Sequence, residues 1–394
     1  MSTGGNRIVT GRFVLAAASC FFMTVVFFAH FSSIPSYSIT VLGTDATMAG
    51  FVAGIFIVGD IAGRLLLGGC VWRFGPNRLC FLSMAGGTAV SALYLLTENV
   101  PALCAIGLVH GFTYGVAELA VFARVTADLS PSVRGKGLGF FTLSYSLASA
   151  VGPLLSIHLV NTGLFREIFL LGLASSAASA ACALFLGKDA ERGQIRKTQT
   201  SGYLPIVRKT LPISAVMLIF LVSYSGVLTF IAPYGIELGM ETYTAVFFVV
   251  LSAATVVSRI GIMGKFDTVG PDPVLIPLMA LYAAGMLLLG AAPFGEALLV
   301  SAFVIGLALA ALGSAGNVMA VEGLDIRDQG MALAVVQVFI DLSYIIGPVA
   351  YGYASESLGY SGCYTAMAAV GLASLAVYLL FCSGLVRRRT DSVA

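Results

Sequence analysis

Long apolar runs without charged residues recur along the whole chain, and short segments rich in charged residues, glycine and proline separate them. Residues 211–232 and 366–382 are two runs that contain no Asp, Glu, Lys or Arg. A helix needs about 20 such residues to cross a bilayer core of roughly 30 Å. Outer-membrane barrels show weak alternation in short segments instead. The pattern therefore predicts an all-α membrane protein.

Breaking the chain at its charged, Gly-rich and Pro-rich segments predicts twelve transmembrane helices. The predicted spans are 13–40, 48–70, 79–97, 101–126, 137–160, 167–187, 210–235, 243–264, 274–292, 296–320, 331–355 and 361–384.

Composition agrees with lipid as the main solvent of the side chains. Of 394 residues, 58% are hydrophobic and 10% are charged, whereas soluble domains carry about 25% charged residues. This excludes a soluble enzyme, a nucleic-acid binder and a disordered chain. The seven cysteines form no CxxC pair, so we expect neither a metal site nor a disulfide framework. No phosphate-binding loop and no HExxH or GxSxG motif is present. We therefore predict no cofactor, no ATP-driven pump and no enzyme.

Lys and Arg collect on the cytoplasmic side of membrane proteins. With both termini inside, the predicted spans place 20 of the 21 basic residues on that side, and only Arg166 falls outside. We therefore predict a multi-pass protein of the cell (inner) membrane with cytoplasmic termini.

The chain repeats at an offset of 195 residues. The shift aligns Arg64 with Arg259, Gly111 with Gly306, and the pair Gly152-Pro153 with Gly347-Pro348. A constant offset across loops and helices predicts two pseudo-symmetric six-helix halves of the same orientation. We place them at 1–187 and 210–394, joined by a cytoplasmic linker at 188–209.

With these halves, the sequence resembles the major facilitator superfamily. The loop after the second span is similar to the family signature G-x-x-x-D-R-x-G-R/K-R/K, with Trp72 in place of the acid. In the second copy, Thr268 replaces the Arg. Residues that match this loop motif, or lie beside it, are Gly68, Arg73, Gly75, Arg78 and Asp267. The resemblance implies that Arg73 acts as a conformational latch.

The fifth span resembles the G-x8-G-x3-G-P-x2-G motif of the family's proton antiporters, which are chiefly drug exporters. Gly139, Gly152 and Pro153 match it, while Ala148 and Ser156 replace two glycines by other small residues. Small residues let helices approach closely, so plain helix packing is the alternative reading of the motif.

Ionisable groups at membrane depth are costly, which makes them candidates for the site. Asp60 lies one turn before Arg64, a spacing that allows an ion pair with a functional or a structural role. Further along, His110, Tyr114 and Glu118 recur every fourth residue and share one helix face. The resemblance implies that this helix lines the central cavity. A proton or cation site and a hydrogen-bonded packing network are the two readings of that face.

Gln337, Asp341 and Tyr344 share a face of the eleventh span by the same spacing. The remaining candidates for the substrate cavity are His30, Tyr224 and Asn317. For proton coupling we rank Glu118 first and Asp341 second, because neither has a basic residue within a turn on its own helix. Asp60 comes third because Arg64 lies beside it.

The sequence thus predicts a secondary active transporter, with proton-coupled export of a small amphiphilic organic compound by alternating access as its task. No basic residue is needed mid-membrane, which disfavours an anionic substrate. A proton-coupled sugar or metabolite carrier, a chelator exporter and a non-transporting solute receptor remain alternatives. The expected partners are the substrate, protons and the lipid bilayer, with no nucleic acid, and we expect a monomer.

Overall fold

A computed structural model describes residues 9–67, 70–130, 133–187, 203–262, 269–324 and 326–383. Within these ranges every regular element is helical. The first six long helices are α1 (Gly11–Thr40), α2 (Ala46–Leu67), α3 (Pro76–Leu93), α4 (Val100–Asp128), α5 (Arg134–Asn161) and α6 (Phe165–Leu184). They are followed by α7 (Tyr203–Leu238), α8 (Glu241–Val257), α9 (Asp272–Ala291), α10 (Gly295–Val321) and α11 (Ile326–Phe381). Short elements are the turns Val71–Phe74 and Tyr94–Leu96 and the π-helical segment Ser258–Ile262.

The number of helices matches the predicted number of spans once α11 is divided. Among the described residues, ten segments are long and apolar enough to cross a membrane, and one of them is Met331–Phe381. At 1.5 Å per residue its 51 residues extend ~77 Å, more than twice a bilayer core. The chain breaks at Gly359, whose φ of 66° is left-handed. The two arms of α11 and the shorter α8 complete the twelve predicted spans, and the all-α fold is confirmed.

The chain divides into two compact units. Unit 1 contains Met1–Thr44 and Phe51–Gln194, and unit 2 contains Asp45–Gly50 and Ile195–Ala394. Most of the predicted linker at 188–209 lies outside the described residues, so the proposed boundaries stay a prediction. Its last seven residues already belong to α7, which begins at Tyr203.

The same packing order recurs in the two units. In unit 1, α1 packs on α5 and α6, and α3 packs on α4 and α6. In unit 2, α7 packs on α11, and α9 packs on α10 and α11. A methyl group built on Gly111 would lie 2.7 Å from the carbonyl carbon of Phe56, and one on Gly306 would lie 3.1 Å from that of Leu251. Both pairs obey the offset of 195, so one backbone contact is present twice.

This contact predicts a stability difference between two glycines of α10. Gly306→Val should destabilise the protein by roughly 1–3 kcal/mol, because the new side chain meets the backbone of α8. Gly313→Val is the matched control, since nothing lies within 4 Å of a methyl group at Gly313. Thermal unfolding in detergent measures both variants. Equal losses would show that the cost comes from valine in a helix and not from the contact.

An apolar cluster closes one end of unit 1, where α1, α2, α4 and α6 meet the turn after α3. Its buried members are Ile34, Tyr37, Val52, Tyr94, Leu103 and Phe169. Tyr37 also donates a hydrogen bond of 3.0 Å to the carbonyl of Thr97. These contacts join α2 and α4, which carry the candidate site, to α1 and α6.

Candidate functional site

One guanidinium links two carboxylates in unit 1. Arg64 Nη2 on α2 donates to Asp60 Oδ2 at 2.8 Å and also to Glu118 Oε2 on α4. The second oxygen of Glu118, Oε1, accepts a hydrogen bond from the Tyr145 hydroxyl on α5. The structure therefore joins Asp60 and Glu118, which the sequence placed on different helices, and adds Tyr145, which the sequence did not indicate.

Glycines bring α2 and α4 close enough for this cluster to form. A methyl group on Gly115 of α4 would meet the carbonyl and the carboxylate of Asp60. From the other side, methyl groups on Gly59 and Gly63 would meet the backbone of Leu108 and Phe112. Small residues at a membrane helix interface permit such an approach, and the short distance places Arg64 beside Glu118.

Among the described residues, two acids and one base make up this cluster. With all three groups ionised, Asp60, Arg64 and Glu118 sum to one negative charge. The Asp60 side chain is 3% exposed, whereas those of Arg64 and Glu118 are 19% and 21% exposed. Charges at membrane depth are costly, which makes these groups candidates for proton exchange, and Glu118 is the more exposed of the two carboxylates.

The other polar residues of the α4 face point elsewhere. His110 Nε2 lies 3.3 Å from Ser91 Oγ, and its ring centroid lies 5.6 Å from that of His30. Tyr114 stacks on Phe27 with a centroid distance of 5.6 Å. Among the described residues, neither His110 nor Tyr114 hydrogen-bonds to Glu118.

A small pocket inside unit 1 lies beside His30. Both ring nitrogens of His30 are buried without a hydrogen-bond partner among the described residues. The walls are otherwise apolar or aromatic, and they include Phe27, Phe31, Phe56, Tyr94 and Leu103. His30 and His110 therefore lie within the helix bundle of unit 1, beside α3 and α6.

A second polar cluster forms in unit 2. Gln337 Nε2 donates to Asp341 Oδ1 at 2.9 Å. Tyr344 is close enough to Asp341 for an electrostatic interaction, and Tyr224 of α7 has the same relation to Tyr344. Asp341 is buried. Asn317 on α10 is exposed and makes no hydrogen bond within the described part of the chain. The predicted face of α11 is thus brought together with Tyr224 but not with Asn317.

The loop between α2 and α3 departs from the charged motif that it resembles. Gly68 lies outside the described residues, as does Asp267 in the second copy. Arg73 and Arg78 are exposed, and neither has an ion-pair partner among the described residues. The latch role of Arg73 stays a prediction.

Backbone geometry and Asn77 shape this loop instead. Gly75 has a φ of 89°, a left-handed value that favours glycine, and it separates the turn Val71–Phe74 from α3. Asn77 stands where the family signature has a basic residue, and its Nδ2 donates to the carbonyl of Gly187 at 2.8 Å. This bond ties the start of α3 to the end of α6.

The glycine motif of α5 packs against α1. A methyl group on Gly152 would lie 2.9 Å from both Phe28 Cβ and the carbonyl oxygen of Val25. Pro153 lies inside α5, as does Gly139. One turn later, Ser156 Oγ lies 2.9 Å from Ser32 Oγ on α1.

The repeated pair in unit 2 has the same environment. A methyl group on Gly347 would meet Ser225 of α7, and Pro348 lies inside α11. The small residues of both motifs thus lie at close helix contacts.

Within the part of the chain that the structure describes, long apolar helices with buried or half-buried ionisable side chains define a multi-pass membrane protein. Residues 13–266 and 260–393 match the family model described as Major Facilitator Superfamily. The chain belongs to this superfamily and is a transporter, not an enzyme.

Relatives of known sequence support the same class. An uncharacterized MFS-type transporter of Burkholderia pseudomallei (strain 1106a) is 25% identical over 358 residues, covering 87% of this chain and 85% of that protein. The MFS-type transporter YhcA of Bacillus subtilis (strain 168), also uncharacterized, is 26% identical over 132 residues, covering 34% of this chain and 25% of that protein.

Solved structures share the fold at low sequence identity. A variant of the nucleoside transporter NupG superposes with a TM-score of 0.78 at 13% identity, covering 94% of this chain and 100% of that one. A D-xylose–proton symporter gives 0.76 at 17% identity, covering 93% and 97%. At these identities the likeness establishes the fold alone.

Proposed function

We propose that this protein is a secondary active transporter that exports a small amphiphilic compound in exchange for protons, by alternating access. The observation that carries the proposal is the guanidinium of Arg64, which is shared between the carboxylates of Asp60 and Glu118. A proton that binds to one of these carboxylates changes the charge that the guanidinium balances, and its release restores that charge. Such a group can therefore couple a proton gradient to a conformational change.

Glu118 is the proposed proton carrier. Arg64 contacts both carboxylates, so its position does not separate Glu118 from Asp60 as the sequence suggested. Glu118 is instead the more exposed of the two, and a proton donor in water can reach it. Arg64 pairs with both carboxylates, so a change in the charge of one carboxylate affects the other. When Glu118 is neutral, Arg64 can still pair with Asp60. We therefore assign Asp60 the role of holding the guanidinium in place. Asp341 is the second candidate, in the cluster of unit 2.

We infer the substrate class from the side chains beside the acidic cluster. Tyr114, Phe27 and Phe56 form an aromatic group next to the acidic cluster. Aromatic faces beside two carboxylates suit a neutral or cationic compound with an apolar body, and they disfavour an anion.

The decisive experiment is a screen of amphiphilic compounds in everted vesicles with and without a proton uncoupler. The proposal predicts accumulation of at least one compound, and its loss when the uncoupler is added. Uptake in the opposite direction would indicate a symporter, and binding without net flux would indicate a receptor.

We further propose that the protein acts as a monomer in the inner membrane with both termini cytoplasmic. A cysteine introduced by Gln199→Cys, in a chain whose native cysteines are replaced, should react with an impermeant maleimide only after the cells are opened. Labelling in intact cells would contradict this orientation.

A further inference from the structure

Glu118 is held by two donors on two other helices. Arg64 of α2 binds Oε2, and Tyr145 of α5 binds Oε1. The two donors differ in what else they bind. Arg64 is shared with Asp60, whereas Glu118 is the acceptor for the Tyr145 hydroxyl among the described residues. Within the described part of the chain, the Tyr145 hydroxyl therefore depends on the charge state of Glu118.

Among the residues that the structure describes, titratable or charged groups near Glu118 come from four helices. Asp60 and Arg64 come from α2, and Tyr145 comes from α5. Tyr114 of α4 and Cys20 of α1 interact with Glu118 electrostatically, without a hydrogen bond to it. Of the uncharged groups in this set, Tyr145 is the one that hydrogen-bonds directly to Glu118.

A phenol can serve both protonation states of a carboxyl group. It donates to the ionised oxygen, and after proton uptake its own oxygen can accept from the carboxyl O–H. The bond to the ionised form is the stronger one. Removing the phenol hydroxyl therefore disfavours the ionised form more than the neutral form.

We propose that Tyr145 is a positioning residue that sets the pH at which Glu118 exchanges its proton, by donating from α5 to the ionised carboxylate. This rests on the proposed function, since it matters only if Glu118 carries the coupled proton. It adds α5, the helix that packs on α1 through Gly152, to the elements that sense proton binding.

The test follows the carboxyl band of Glu118 by infrared difference spectroscopy during pH titration of the purified full-length protein in lipid nanodiscs. Glu118→Gln identifies the band by its loss. Tyr145→Phe should move the midpoint upward by about one pH unit, the size expected for one charge-assisted hydrogen bond. Tyr114→Phe is the matched control, because that phenol is near Glu118 but does not bind it, and its midpoint should stay within a few tenths of a unit.

The outcomes separate the two proposals. An unchanged midpoint in Tyr145→Phe, with a band that Glu118→Gln removes, overturns the role of Tyr145 and leaves proton uptake at Glu118 intact. A wild-type titration without any band that Glu118→Gln removes overturns both. A larger midpoint shift in Tyr114→Phe than in Tyr145→Phe would contradict the inference, because it would make Tyr114 the positioning residue.

Discussion

Accumulation driven by a pH gradient should fall in Glu118→Gln to the level of vesicles without the protein, a loss of at least about tenfold. Glutamine keeps the shape and can accept from Arg64, but it cannot exchange a proton. Substrate binding and substrate exchange without a gradient should persist. Transport assays on everted vesicles, with the compound that the screen identifies, measure both quantities.

Glu98→Gln is the control for removing a carboxylate, because Glu98 is exposed in the loop before α4. It should leave accumulation unchanged. If Glu118→Gln and Asp341→Asn both retain full uphill transport, the assignment is wrong and Asp60 becomes the leading proton carrier.

Gly152→Leu should abolish transport. Even a methyl group at this position would lie 2.9 Å from Phe28 Cβ and from the carbonyl oxygen of Val25. The larger leucine side chain would therefore collide with both. Because α5 must pack closely on α1 there, the bulky residue forces the two helices apart. Uptake assays and surface expression should be measured together, so that loss of transport is not confused with loss of protein.

Gly313→Leu serves as the control for this variant, since α10 has open space at that glycine. Its transport should stay within about twofold of the wild type. Normal transport in Gly152→Leu would show that α1 and α5 can separate at this contact without functional cost.

The sequence alone was sufficient for the helices and the repeat. Apolar runs of bilayer length leave little choice of structure in lipid, since backbone groups must be satisfied within the helix. The offset of 195 was visible in glycines such as Gly111 and Gly306, which the structure places at equivalent backbone contacts. Glycines recur there because only they allow that approach.

The sequence could predict only part of the acidic cluster. Helical spacing shows which residues share a face of one helix, as it did for Asp60 and Arg64. It does not show which second helix approaches that face. The pairing of Arg64 with Glu118 therefore required the contact of α2 with α4, and Tyr145 gave no signal because an isolated tyrosine in a span is ordinary.

Helical spacing predicted one shared polar face on α4, but its three residues contact different neighbours. His110, Tyr114 and Glu118 do follow each other at successive turns, but Phe27 covers Tyr114, and Ser91 binds His110. Neighbouring helices at different heights thus divide one face among an acidic cluster, an aromatic contact and a buried polar group.

Substrate-driven proton movement tests the central claim most directly. Proteoliposomes containing a trapped pH-sensitive dye receive the compound identified by the screen, without an imposed gradient. Wild-type protein should move protons opposite to the compound, whereas Glu118→Gln should move the compound down its gradient without a pH change. Transport by the wild type with no proton movement would contradict the account.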